Sequence, residues 1–129
     1  MTDTLSLRVY YEDTDLAGIV YYANYLKFIE RGRTEYVRAR GIDQAALMRE
    51  AGLVFAVRRV EADYLAPARF GDDLEVETGV EAVKGASLVM LQRVCRAGEV
   101  LFSARVVLVA IGPGGGAVRL PADIRRRLG

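Results

Sequence analysis

The sequence contains no histidine and no tryptophan, and it has a single cysteine among its 129 residues. The absence of histidine excludes Ser-His and Cys-His nucleophile pairs, histidine-ligated zinc and histidine-dependent dehydration. The lone Cys95 cannot form an intramolecular disulfide, and we expect it to be a small buried side chain in a reducing compartment. Acid–base chemistry in this chain must therefore use carboxylates, tyrosine or water.

The chain also lacks an excess of charge of either sign, and it has no long apolar segment. The 18 basic and 17 acidic residues leave a net charge of +1, which gives no basic field for nucleic acid. No uncharged apolar stretch is long enough to span a membrane, and the first residues do not resemble a secretion signal. We therefore predict a cytoplasmic protein that neither inserts into a membrane nor binds nucleic acid. Because 52% of the residues are hydrophobic, residues 1–129 can form one domain with a packed core.

The spacing of apolar residues predicts a strand, a long helix and then a sheet. Residues 5–11 alternate as in a half-buried strand that ends at Asp13, and helical spacing runs from Tyr22 to a C-terminal Gly41. Gly32 lies on the apolar stripe of that helix, which predicts close packing against a sheet. A second helix is predicted over 44–50 and further strands over 58–64, 74–80, 87–95 and 100–111, with a short strand at 117–120 and a helix after it.

The last two long strands are apolar almost throughout, as in strands that are covered on both faces. One long helix covers only one face, so a second subunit is predicted on the other. We expect Tyr25 to be a core aromatic. The helix glutamates are expected to form surface ion pairs with neighbouring arginines: Glu30 and Glu35 with Arg31, Arg33 or Arg38.

Residues 13–25 read DTDLAGIVYYANY and are the most informative stretch. They place Asp13 and Asp15 after a strand, Gly18 in a turn, and Tyr22 at the start of the long helix. A carboxylate beside the free N–H groups of a helix N-terminus supplies a base or nucleophile next to an anion-stabilising dipole. This combination suits acyl transfer, and it predicts hydrolysis of a thioester or ester.

Two other interpretations fit part of this stretch. Aspartates before a glycine are typical of a solvated turn in which their side chains cap backbone N–H groups. Asp13, Asp15 and Gly18 also match three positions of a calcium-binding loop, but Ala17 and Asn24 stand where that loop needs an oxygen ligand and a bidentate glutamate. The calcium interpretation is rejected, and the capped turn remains the alternative to a site.

The order of strand, long helix and antiparallel sheet, with the junction Asp-x-x-Gly-x-Val-Tyr-Tyr-x-Asn-Tyr, resembles the hotdog-fold acyl-CoA thioesterases. It is similar to the 4-hydroxybenzoyl-CoA thioesterases and to the short-chain thioesterases of the Tol-Pal-associated group. The segments YLAPAR at 64–69, GASLV at 85–89 and Leu120-Pro121 extend the second likeness over nearly the whole chain. The resemblance implies an α+β hotdog fold, with a long central helix wrapped by a curved antiparallel β-sheet.

The resemblance also implies roles for individual residues. Asp15, three residues before the turn glycine Gly18, takes the position of the catalytic carboxylate, and the backbone N–H of Tyr22 takes that of the donor to the thioester carbonyl. Lys84 resembles a basic position that meets coenzyme A phosphates, and Arg58, Arg59 and Arg69 are weaker candidates for that role. The Tol-Pal-associated group has histidine where Tyr22 stands, whereas tyrosine resembles the hydroxybenzoyl branch. The expected substrates are therefore short-chain or aromatic acyl-CoA thioesters.

From this resemblance we expect a thioester hydrolase in which Asp15 is the base or nucleophile. No metal and no cofactor are expected beyond the coenzyme A of the substrate, although an acyl carrier protein remains open as an alternative carrier. The expected assembly is a homo-oligomer, either a dimer or a homotetramer, with sites at subunit interfaces. The alternative is a protein that binds acyl-CoA or acyl carrier protein, or acts as a scaffold, without turnover. A hydroxyacyl dehydratase is disfavoured by the lack of histidine.

Overall fold

A five-stranded antiparallel sheet packs around one long helix in the computed structural model, which describes residues 1–129. The strands follow the spatial order β1-β3-β4-β5-β2, so β1 and β2 form the two edges. This is the α+β arrangement that the sequence predicted. The elements in chain order are β1 (Thr2–Arg8), α1 (Asn24–Ala39), α2 (Gln44–Ala51), β2 (Val54–Tyr64), β3 (Asp73–Lys84), β4 (Ser87–Arg96), β5 (Glu99–Ile111) and α3 (Ala122–Leu128).

Helix α1 lies directly on β3 because Gly32 has no side chain. A Cβ at this position would lie 2.7 Å from Cγ1 of Val76 and 2.8 Å from Oγ1 of Thr78, both on β3. The apolar stripe of α1 then buries Phe28 and Ile29, each 1% exposed, against the core of the sheet. The predicted close approach at Gly32 is therefore confirmed.

The glycines predicted to end α1 and α2 and the predicted cap of α2 are confirmed. Gly41 follows α1 with a φ of +77°, and Gly52 ends α2 with a φ of +62°, both in the left-handed region that favours glycine. The Asp43 side chain accepts a hydrogen bond of 3.0 Å from the Ala46 N–H and caps α2. Cys95 is buried at 5% exposure, as predicted. No helix has the length and apolar character needed to cross a membrane.

Several predicted boundaries are wrong, and two strands are longer than predicted, since β2 begins at Val54 and not at 58, and β3 ends at Lys84 and not at 80. β1 ends at Arg8, because the Tyr10 N–H donates to Oδ2 of Asp13 and the chain turns through a short 3-10 helix, Tyr11–Asp13. Helix α1 begins two residues after Tyr22. Residues 117–120 form no strand, since Ala117 makes only an isolated bridge after the glycine turn.

Candidate active site

The loop that carries Asp15 is a tight hairpin between the end of β1 and the start of α1. Thr14 and Val20 form an antiparallel bridge across it. The Tyr21 N–H donates to the Asp13 carbonyl, and the Asp15 N–H donates to the Ile19 carbonyl, each at 2.9 Å. Asp15 therefore stands on a short, hydrogen-bonded hairpin that leads directly into α1.

The Asp15 carboxylate is both a cap and a free acceptor. Its Oδ1 accepts a hydrogen bond of 2.9 Å from the Ala17 N–H, while its other oxygen has no partner within the chain. Gly18 closes the turn with a φ of +77°, and its N–H donates to the Asp15 carbonyl at 3.0 Å. Oδ1 of Asp15 therefore caps the turn, as the capped-turn interpretation requires, and the other oxygen stays available to a substrate or a water, as the site interpretation requires. No group of three or more cysteine, aspartate or glutamate side chains is arranged to hold a metal ion.

The start of α1 presents three backbone donors without acceptors. The N–H groups of Tyr22, Ala23 and Tyr25 donate to no acceptor within the chain. Asn24 ties this end of the helix to the hairpin, because its Nδ2 donates to the Asp13 carbonyl at 2.9 Å. Free N–H groups at a helix N-terminus carry the positive end of the helix dipole. They can stabilise negative charge next to the Asp15 hairpin.

An aromatic cluster packs against the start of α1. Tyr64, at the end of β2, donates from its hydroxyl to the Tyr22 carbonyl at 2.9 Å. The Tyr25 ring is 3% exposed and stacks on Phe102 with the ring centroids 5.0 Å apart, so the predicted core role of Tyr25 is confirmed. Burial, with the neighbouring Tyr22 and Tyr25, raises the pKa of Tyr64 further above neutral pH. The sequence analysis assigned no role to Tyr64.

A second loop, residues 66–72, is hydrogen-bonded to the hairpin. The Val20 N–H donates to the Ala68 carbonyl at 2.8 Å. Within this second loop, Oδ2 of Asp72 accepts hydrogen bonds of 2.8 Å from the Arg69 N–H and from Nη1 of Arg96. Although partial burial opposes it, these bonds lower the pKa of Asp72. Asp72 and Arg96 therefore hold the loop on which the hairpin rests.

We predict that Asp72→Asn lowers the free energy of unfolding by about 1 kcal/mol at neutral pH, because a charged acceptor is lost. The folded pKa of Asp72 lies below its unfolded value, which is about 3.9. Its contribution is therefore complete above that value and is lost as the pH falls through the folded pKa. Thermal unfolding of both proteins between pH 7 and pH 3 checks this. A difference that stays constant over the whole range would contradict it.

Three of the four basic residues proposed to meet coenzyme A lie away from Asp15 in a single chain, whereas Arg69 forms an isolated bridge with Ile19 of the hairpin. Lys84 stands at the turn between β3 and β4, level with Ala56 in the register across the sheet. From Ala56 to Tyr64, beside the helix start, β2 runs about 26 Å at 3.3 Å per residue. Arg58 occupies a β-bulge in β2, and Arg59 forms an ion pair within the same strand. Asp15, Gly18 and Tyr22 thus lie on the hairpin and the segment that leads from it into α1, whereas Lys84, Arg58 and Arg59 lie elsewhere on the sheet.

The charged residues of α1 differ partly from their predicted pairing. Glu35 and Arg38 form the expected surface ion pair at 2.8 Å. Oε2 of Glu30 instead accepts a hydrogen bond from the Thr34 hydroxyl at 2.9 Å. Arg33 was expected on the surface but is half-buried, because its guanidinium reaches a glutamine on β4 that lies far away in sequence.

Comparison with known proteins gives one consistent result. Residues 17–103 match the family model of the thioesterase superfamily. The acyl-CoA thioester hydrolase YbgC of Escherichia coli O6:H1 is 45% identical over 108 residues, which cover 83% of this chain and 80% of that protein. A thioesterase from Thermus thermophilus, solved with coenzyme A and zinc, is 32% identical with a TM-score of 0.85, covering 97% of this chain and 90% of that one.

The fold matches a further solved structure at lower identity. A 4-hydroxybenzoyl-CoA thioesterase in complex with 4-hydroxybenzoyl-CoA superposes with a TM-score of 0.93 and 23% identity, covering 99% of each chain. At this identity the likeness concerns the fold alone, and it confirms the hotdog architecture that the sequence predicted.

Proposed function

This chain belongs to the thioesterase superfamily, and from that premise we propose that it hydrolyses acyl-CoA thioesters at the hairpin of Asp15 and the start of α1. The observation that carries the proposal is one carboxylate oxygen without a partner on the hairpin that leads directly into three unpaired backbone N–H groups at the start of α1. The name of the Escherichia coli relative supports the reaction class. The coenzyme A bound to the Thermus thermophilus structure supports the carrier.

In the proposed reaction, Asp15 either accepts a proton from an attacking water or attacks the thioester carbon itself. By the first route, the water oxygen bonds to the carbonyl carbon and the carbon–sulfur bond breaks. By the second, an acyl-aspartate forms as the thiolate leaves, and water then hydrolyses it. The coenzyme A thiolate is a good leaving group, because thiols have a pKa of about 8.5. The step therefore needs no separate general acid, which suits a chain without histidine.

The Tyr22 N–H is the proposed donor to the thioester oxygen. Negative charge develops on this oxygen as the tetrahedral intermediate forms, and an N–H group already free of other bonds stabilises it without rearrangement. The Tyr64 hydroxyl holds the neighbouring Tyr22 carbonyl, and Asn24 holds the hairpin. The role we assign to Tyr22 is thus a backbone role, and it does not depend on the phenol.

The proposed acyl group is short or aromatic. The rings of Tyr21, Tyr22 and Tyr64 are 46%, 62% and 49% exposed, and they meet edge to face at the helix start. Exposed aromatic rings favour contact with another ring or with a compact apolar group. Lys84 is the proposed partner of the coenzyme A phosphates, with Arg58 and Arg59 as further candidates.

We propose that two chains pair through β2 and that sites form between subunits. β2 is an edge strand whose side chains are largely exposed, including the apolar Val54, Val57 and Val60. A two-fold axis at Val60 would place Arg59 of each copy opposite Glu61 of the other, so the edge is complementary to itself. The chain exposes 7418 Å², whereas a monomer of 14.2 kDa is expected to expose about 6,800 Å². Light scattering should show a dimer or tetramer.

Thiol release from acetyl-, butyryl-, long-chain and hydroxybenzoyl-CoA tests the activity, with a blank without substrate for Cys95. We expect turnover of a short-chain or aromatic thioester, and the substrate turned over fastest defines the acyl class. Saturable binding of these thioesters without thiol release would instead support a binding or scaffold protein, and it would overturn the proposed function.

A further inference from the structure

The start of α1 has an irregular hydrogen-bond pattern. In a regular α-helix, the Leu26 N–H would donate to the Tyr22 carbonyl, four residues earlier. It donates instead to the Ala23 carbonyl at 3.2 Å, three residues earlier. The Asn24 N–H likewise donates to the Tyr21 carbonyl at 2.8 Å. The chain therefore enters α1 through a tighter 3-10 turn, and the Tyr22 carbonyl accepts no backbone N–H.

The Tyr22 carbonyl accepts a hydrogen bond from a side chain that is distant in sequence. The Tyr64 hydroxyl, at the end of β2, donates to it at 2.9 Å. The Tyr64 ring lies edge to face on Tyr25 and Phe102, with ring centroids 5.5 and 5.0 Å apart. Both of these rings are buried in the core. The core therefore fixes the phenol that holds this carbonyl.

The bond from Tyr64 sets the direction of the Ala23 N–H. The Tyr22 carbonyl and the Ala23 N–H belong to one planar trans peptide group, so they point in opposite directions. A hydrogen bond to the carbonyl of a peptide group also polarises its N–H, which makes that N–H a stronger donor. The preceding peptide group carries the Tyr22 N–H, and its carbonyl is held by the Asn24 N–H. Each of the two consecutive free N–H groups is thus fixed through the carbonyl of its own peptide group.

We propose that Tyr64 is a positioning residue of the reaction, whose hydroxyl directs the Ala23 N–H to act as a second donor to the thioester oxygen. The inference rests on the proposed function, in which the Tyr22 N–H is the first donor. Two preorganised N–H groups stabilise the charge of a tetrahedral intermediate better than one. Without the Tyr64 hydroxyl, the Tyr22 carbonyl is free to accept the Leu26 N–H. The turn can then rewind to a regular α-helix and displace the Ala23 N–H.

Tyr64→Phe tests this role, because it removes the hydroxyl and keeps the ring. We expect kcat for the best acyl-CoA substrate to fall about tenfold, with KM changed by less than about twofold, since a donor is misplaced and not removed. Tyr11→Phe is the matched control. The Tyr11 ring is 84% exposed beside Phe70, away from the helix start, and its hydroxyl holds no backbone group. It should leave kcat unchanged.

Binding of S-butyl-coenzyme A, a thioether that lacks the carbonyl oxygen, separates positioning from contact with the substrate. Titration calorimetry should give the same Kd for the unmodified protein and for Tyr64→Phe. The stoichiometry also counts the competent sites, so a lower kcat cannot be due to misfolded protein. A Kd that rises several-fold in Tyr64→Phe would overturn the proposal, because the hydroxyl would then contact the substrate itself.

The failure of this inference is distinguishable from the failure of the proposed function. Thiol release that Asp15→Asn strongly reduces but Tyr64→Phe retains in full would overturn the role of Tyr64 and leave the proposed function intact. Equal losses of kcat in Tyr64→Phe and Tyr11→Phe would also overturn it, since the effect would not depend on the bond to Tyr22. Absence of thiol release from the unmodified protein would overturn both.

Discussion

Asp15→Asn should lower kcat for the best acyl-CoA substrate by about 10²–10⁴-fold, because the variant keeps the hairpin but removes the negative charge. An asparagine oxygen can still accept the hydrogen bond that Oδ1 of Asp15 receives from the Ala17 N–H. The loop and its contacts with α1 should therefore persist. The measurement is thiol release at saturating substrate, with thermal unfolding to show that the fold is intact.

Asp13→Asn is the matched control for this experiment. Asp13 lies on the same hairpin, but its carboxylate accepts the Tyr10 N–H and closes the 3-10 turn. Its substitution removes the same formal charge only two residues away, which makes it a matched control. Because this carboxylate caps a turn, we expect kcat to change by less than about threefold. If Asp15→Asn retained the activity of the unmodified protein, the assignment of the carboxylate would be wrong. Equal losses in both variants would point to a general charge effect instead.

Local signals explain why much of the fold could be predicted from the sequence. The cap at Asp43, the turn glycines Gly41 and Gly52, and the stripe that contains Gly32 each act within a few residues, and the structure confirms all of them. The end of β1 and the start of α1 were less predictable. They depend on where Asp13 meets Tyr10 and on how the hairpin enters the helix, which apolar spacing does not report.

The surroundings of the site depend on contacts between residues far apart in sequence. Tyr64 reaches Tyr22 only because β2 ends beneath the start of α1. Arg33 has the spacing of a surface residue on α1, yet the approach of the sheet at Gly32 brings it to Gln92. Neither contact leaves a local pattern. The separation of Lys84 from Asp15 is likewise a property of the sheet, and a site that used both would draw on two subunits.

Tyr22→Pro should cause the second large loss of kcat, because it tests the proposed role of the Tyr22 backbone N–H directly. Tyr22→Pro removes one N–H group, and that group donates to no acceptor within the chain, so no internal hydrogen bond is lost. Proline is also well tolerated near helix starts. Loss of one oxyanion donor should reduce kcat by about 10²–10³-fold with a smaller effect on KM.

Tyr22→Ala separates the backbone from the side chain, because it deletes the ring and keeps the N–H. The ring contacts Tyr21 and Tyr64 edge to face, and its loss removes part of the exposed aromatic surface offered to the acyl group. We therefore expect Tyr22→Ala to raise KM and to change kcat by less than about tenfold. Equal losses of kcat in the alanine and proline variants would show that the phenol, not the amide, acts on the thioester. A loss confined to proline places the developing charge at the first turn of α1, where the dipole of the helix can stabilise it.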